Sequence, residues 1–187
     1  MVRYEVKEVD VKCPHGIYIY DRKRDLWVLV RSEGDYYKPV EDGIHIIYFD
    51  NTKCPACRKY DNIWFPFVRK AANKMQKCIF VIILCDWFAR ECKSEAASKS
   101  FRQYDIHASP TTLFLYVNNG SIVYQEKYEG VLYEFELKLI IEGFEERAMK
   151  HMKGEKVAPP IAKASPAQAL ESLILQILKE IIGKERK

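Results

Sequence analysis

The sequence predicts an α/β fold: a mixed central sheet flanked by helices, with an N-terminal β-hairpin extension and a C-terminal amphipathic helix. Three observations carry this prediction. The run Cys78-Ile79-Phe80-Val81-Ile82-Ile83-Leu84-Cys85 is apolar without alternation, as in a strand covered on both faces. Segments of strand and helix periodicity take turns on either side of it. Asn118-Asn119-Gly120 joins two strand-like runs, a strong hairpin signal.

Residues 1–43 read as a β extension. Met1 to Lys7 alternates like a strand, and Ile17-Tyr18-Ile19-Tyr20 and Leu26-Trp27-Val28-Leu29-Val30 flank the polar turn Asp21 to Asp25. Ser32 to Gly43, punctuated by Gly34 and Pro39, is a connector. A main domain over 44–150 follows. Its strand at 44–49 leads to a helix at 55–76, whose apolar residues Ile63, Trp64, Phe67, Val68, Ala71, Ala72 and Met75 recur at helical spacing. After the strand at 78–85 come a polar helix at 94–104, strands at 112–117 and 121–125, and a closing helix at 131–150. Residues 151–166, with Gly154, Pro159, Pro160 and Pro166, read as a linker. Ser165 and Pro166 suit an N-cap and first turn. The helix of 167–187 then carries Leu170, Leu173, Ile174, Ile177, Leu178, Ile181 and Ile182, a stripe too apolar for water. It docks on its own domain or pairs two chains into a homodimer.

Composition narrows the class. The chain has 187 residues, 48% apolar and 30% charged, with a net charge of +4, ordinary for one folded domain with an appendage. Its basic residues are interspersed with acids, which gives no nucleic-acid groove. No apolar run reaches the length of a membrane span, and no signal peptide is evident, so a cytoplasmic protein is expected. The Ile-, Lys-, Glu- and Tyr-rich composition leans towards a thermophile, where intracellular disulfides occur.

The chemistry centres on Cys54-Pro55-Ala56-Cys57. A strand before it and a helix after it put Cys54 at a helix N-terminus, where unpaired N–H groups and the helix dipole favour a thiolate. Pro55 fits the first turn because its missing N–H costs nothing there. Lys53, Arg58 and Lys59 add positive charge. A redox dithiol is the favoured reading, with Cys54 and Cys57 catalytic and no cofactor or metal required. A zinc site completed by Cys85, Cys92 or His15 is the weaker alternative, since none of the six cysteines forms a second CxxC.

The order β-α-β-α-β-β-α with CxxC after its first strand resembles the thioredoxin-like superfamily over residues 44–148. Ala108-Ser109-Pro110-Thr111 supports the resemblance, which implies a cis Pro110 facing the dithiol and a substrate-binding role for Ser109 and Pro110. It further implies a thiol–disulfide oxidoreductase acting on protein dithiols and disulfides and served by a redox partner. Three family features are absent. Lys53 stands where a tryptophan is usual, Tyr48 replaces the buried aspartate six residues before the first cysteine, and that aspartate's lysine partner falls on Ile82. Losing both charges together is consistent, because one alone would be costly to bury. Asp50 reads as a loop carboxylate near Lys53, with replacement of the missing aspartate as the alternative. The Pro-Ala dipeptide resembles that of less reducing relatives, which lie roughly 40 to 150 mV above thioredoxin.

Cys85 and Cys92 read either as a second disulfide, structural or relaying electrons, or as two small buried thiols. Cys78 reads as core, Cys13 as a turn cysteine and His107 as a loop residue near the groove rim. The missing charges keep a second function open: a thioredoxin-fold interaction module whose dithiol is regulatory or vestigial.

Overall fold

The computed structural model describes residues 4–161; the expected C-terminal helix lies outside the described residues. Seven strands form one sheet: β1 (Glu5–Val6), β2 (Gly16–Asp21), β3 (Leu26–Arg31), β4 (Gly43–Asn51), β5 (Cys78–Cys85), β6 (Thr111–Asn118) and β7 (Ser121–Glu129). Their spatial order is β1-β3-β2-β5-β4-β6-β7. β4 and β5 run parallel, and every other pair is antiparallel. Among the described residues four helices, α1 (Pro55–Ala72), α2 (Glu95–Gln103), α3 (Glu134–Glu142) and α4 (Phe144–Met152), pack on the two faces. The expected order β-α-β-α-β-β-α runs from β4 to α3.

Alternation along β4 and β5 sorts the core into two layers. Ile46, Tyr48, Phe80, Ile82 and Leu84 face α1 and α3, with Trp64, Phe67 and Leu137. Ile47, Phe49, Val81, Ile83 and Cys85 face α2 and meet Phe101. This two-sided burial explains why 78–85 lacks alternation. The hairpin β2–β3 lies within the sheet, because β2 pairs with β5 from Gly16 opposite Leu84 to Ile19 opposite Val81. At the start of β4, Gly43 has φ 133° and its backbone approaches Lys77 so closely that a Cβ would lie 2.5 Å from the Lys77 carbonyl oxygen. Only glycine fits there.

Three element expectations need correction. The alternation of Met1 to Lys7 yields just the two-residue β1 among the residues described, because the chain turns away after Val6. The helix expected to reach 76 ends at Ala72, where Lys74 and Met75 both donate to the Ala71 carbonyl in a closing turn. The single helix of 131–150 is two helices meeting at Gly143. Arg147 occupies the space a side chain would need at Gly143, its Nη1 2.6 Å from the Cβ position, and binds buried Glu126 at 2.5 Å and the Ile140 carbonyl at 2.8 Å. An apolar period cannot reveal that break, since Leu137, Ile140 and Phe144 stay buried across it. Among the described residues, no helix is long and apolar enough to cross a membrane.

Candidate functional site

Cys54 is the N-cap of α1, with extended dihedrals of φ −97° and ψ 111°. Its sulfur accepts the Cys57 N–H at 3.2 Å, the capping interaction that satisfies one of the helix's open donors. Pro55 occupies the first turn, as its missing N–H allows. Cys54 and Cys57 are both free thiols and both buried. The Cys54 thiol donates to the Ser109 carbonyl at 3.5 Å, and the Cys57 sulfur lies 2.9 Å from the Ser109 hydroxyl. The Ser109–Pro110 peptide bond is cis. All four residues singled out from the sequence therefore meet at one place: the C-terminal end of β4, the start of α1 and the turn entering β6.

Beneath Cys57 lies a charged cluster that sequence reading missed in part. Asp50 is fully buried on β4, not a loop carboxylate beside Lys53. Lys53 pairs instead with Glu91 across the neighbouring loop. Asp50 and Tyr48 are two residues apart, which on a strand places them on the same face, towards α1. Tyr48 stands opposite Ile82 on β5, so the two positions noted in the sequence as lacking a charge are filled by an aromatic and an aliphatic side chain. A buried acid instead stands two residues closer to the dithiol, and its counter-charge comes from α1: the Arg58 guanidinium binds Asp50 directly. Arg58 also lies 3.3 Å from Asp61. The Tyr48 hydroxyl is 3.1 Å from Asp50, 3.0 Å from Asp61 and 3.3 Å from the Cys57 carbonyl, and its single proton serves one of these at a time.

Burial dominates the titration of this cluster. It pushes Asp50 above the usual carboxylate range, partly offset by the Arg58 charge. Asp61 rises to about 7, through burial and then the Asp50 charge, again with Arg58 opposing. The Cys57 thiol is held well above its ordinary value by burial, the Asp50 charge and the hydrogen bond with Cys54. The second oxygen of Asp50 and the Arg58 Nε have no hydrogen-bond partner among the described residues.

Asn51 is a further residue that sequence reading did not single out. It is fully buried, donates from Nδ2 to the Ser109 hydroxyl at 2.8 Å, and accepts the Phe88 N–H at 2.6 Å. It thereby couples the turn before Pro110 to the loop after β5. Its only sequence signal is its place three residues before Cys54. That loop is closed by a Cys85–Cys92 disulfide, which decides between the two readings of these cysteines and removes both sulfurs from the zinc alternative. Cys85 packs with the α2 layer, on the opposite face of the sheet from Cys54 and Cys57. His15, the other zinc candidate, bridges Asp86 at 3.2 Å and the Lys93 N–H at 2.9 Å. Cys78 is buried core; Cys13 is a buried turn cysteine that accepts the Asp10 N–H at 3.3 Å. His107 is exposed and pairs with Asp105 at 2.6 Å.

No protein-family model matches this chain, and no curated protein sequence matches it. Among solved structures, the chain is similar to a thioredoxin from Aeropyrum pernix, at 15% identity over 73% of this chain and 97% of that one, with a TM-score of 0.48. It is also similar to the thioredoxin of Trichomonas vaginalis, at 14% identity over 61% of this chain and 96% of that one, with a TM-score of 0.42. At these scores the likeness adds no weight to what the strand order and helix placement establish. From β4 to α3, with CxxC opening α1 and the cis Pro110 opening β6, the chain has a thioredoxin-like fold.

Proposed function

We propose that this chain is a thiol–disulfide oxidoreductase that acts on protein substrates through Cys54 and Cys57. The observation that carries the reading is the meeting of Cys54, Cys57 and Ser109 at the α1 N-terminus, with a buried carboxylate beneath the second cysteine. The Cys54 thiolate attacks one sulfur of a substrate disulfide. The substrate S–S bond breaks, a Cys54–substrate disulfide forms, and the departing sulfur leaves as a thiolate that takes up a proton. Cys57 then gives its proton to Asp50 and attacks the Cys54 sulfur. The second substrate thiol is released and the enzyme is left as a Cys54–Cys57 disulfide, oxidised by two electrons as the substrate is reduced by two. A dithiol redox partner reverses the last steps and restores the enzyme.

The high pKa of Cys57 explains why this step needs a base, and Asp50 is the buried acid whose charge acts on that thiol. Asp61, linked to Asp50 through the Tyr48 hydroxyl, carries the proton outwards. Ser109 and Pro110 hold the substrate. The Ser109 N–H, which no described residue accepts, suits an added substrate strand. The Ile-, Lys-, Glu- and Tyr-rich composition favours a thermophilic source. Dimerisation through 167–187 is tested by deleting 154–187 and measuring mass in solution; an unchanged oligomeric state removes it.

Reduction of insulin disulfides by dithiothreitol tests the reading. Wild-type protein is expected to accelerate it and Cys54→Ser to abolish the acceleration. Acceleration that survives Cys54→Ser removes the mechanism, and no acceleration by the wild type leaves an interaction module as the better account.

A further inference from the structure

On the α2 side of the sheet, next to the segment that leads into Ser109 and Pro110, lies an open cavity of about 400 Å³, lined among others by Trp87, Phe88, Arg90, Arg102, Ile106 and His107. One wall is the loop that the Cys85–Cys92 disulfide closes. The other is the end of α2 and the segment that continues into Ser109 and Pro110. Asn51 fixes the two walls to each other through Phe88 and Ser109, and Ser109 touches Cys57, so the cavity is anchored to the dithiol.

The cavity has an aromatic floor and a cationic mouth. Phe88 meets Phe101 edge-on at 6.1 Å and Trp87 edge-on at 5.1 Å, while Trp87 remains 40% exposed. Phe88 has φ 51°, a left-handed conformation that is a rare and costly choice for a bulky residue and that the Asn51 hydrogen bond helps to hold. The acids nearby are already engaged: Asp105 with His107, Glu91 with Lys53, and Asp86 with Thr52 and His15. Arg90 and Arg102 are exposed, and neither has a carboxylate partner among the described residues.

We infer that this groove binds an acidic segment of the protein substrate, with an apolar side chain against Trp87 and Phe88 and carboxylates on Arg90 and Arg102. The inference rests on the dithiol reading above and names the substrate class for that site. A segment seated there runs towards the cis-proline turn, which brings a neighbouring cysteine to Cys54. Guanidinium groups suit carboxylates because their fork can donate two parallel hydrogen bonds.

Fluorescence anisotropy with two labelled twelve-residue peptides tests it without any redox step. Both carry a central Leu-Ser, serine standing in for the cysteine; one has flanking glutamates and its twin has lysines. The reduced wild-type protein is expected to bind the acidic peptide about ten-fold more tightly than the twin, the sum of two modest ion pairs. Arg90→Glu/Arg102→Glu is expected to reverse the order, a gain of binding that a misfolded variant cannot show. Equal binding of the two peptides, a wild-type preference for the lysine twin, a preference unchanged in the double variant, or tighter binding of a single-stranded oligonucleotide would each overturn the inference. Because the peptides contain no thiol, a correct charge preference in a protein inactive on insulin would sink the oxidoreductase reading and leave the groove standing.

Discussion

At the scale of single residues, the resolving step depends on where one carboxylate sits. Tyr48 marks the absence of an acid at its expected position, and that much is legible in the sequence. The placement of Asp50 is not, because a carboxylate four residues before a CxxC is equally at home in a loop. Strand β4 extends through Asn51 and keeps Asp50 fully buried, with Arg58 from the first turns of α1 against it. Burying a charge without a partner costs several kcal/mol, so Asp50 and Arg58 stand or fall together. If Asp50 accepts the Cys57 proton, it must be ionised, and the resolving step should quicken as pH rises through its raised pKa. Asp50→Asn is then expected to slow resolution at pH 7 by about a hundred-fold or more, leaving a rate that climbs only towards the alkaline titration of Cys57 itself. Rapid-mixing measurements of mixed-disulfide decay across pH check this. A variant with the wild-type pH profile would limit Asp50 to a structural part.

At the scale of elements, the strands from β2 onwards are readable because each has a one- or two-sided core to fill. Continuous apolarity marks β5, and Asn118-Asn119-Gly120 marks the β6–β7 turn. The break at Gly143 was hidden because it depends on Arg147 reaching Glu126 on β7, a contact between distant parts of the chain. The loop after β5 was hidden for a similar reason. Spacing allowed Cys85 and Cys92 to bond, but the partner that shapes the loop is Asn51 on β4. Closing so short a loop lowers the entropy of the unfolded chain, and Cys85→Ser/Cys92→Ser is expected to cost about 2 kcal/mol of stability. Urea denaturation of oxidised wild type and variant measures it. Equal midpoints and slopes would show that the loop is held by its hydrogen bonds alone.

At the scale of the whole molecule, the N-terminal strands complete the sheet. The sequence shows a hairpin at 17–30 but not its neighbour, since strand partners are chosen by edges and faces far apart in the chain. In the fold, β2 covers the edge of β5, with Ile17 and Tyr18 fully buried in opposite layers. A chain begun at residue 43 would expose that edge and both core layers. It is expected to be insoluble or to associate, which light scattering would register; a stable monomer would show that the hairpin is dispensable. The fold, and the meeting of the CxxC and Ser109-Pro110 motifs at one place, were thus accessible from motif and periodicity. The buried acid cluster, Asn51 and the aromatic groove were not, because each is assembled from several elements.

The central claim is that Cys54 is the attacking sulfur and Cys57 the resolving one. Trapping tests it most directly: Cys57→Ser is mixed with a protein disulfide substrate, free thiols are blocked, and the adduct is mapped by mass spectrometry after proteolysis. A persistent mixed disulfide at Cys54, absent in Cys54→Ser/Cys57→Ser, is the predicted result. An adduct at Cys13 or Cys78, or no adduct from a protein whose wild type reduces the same substrate, would contradict the account.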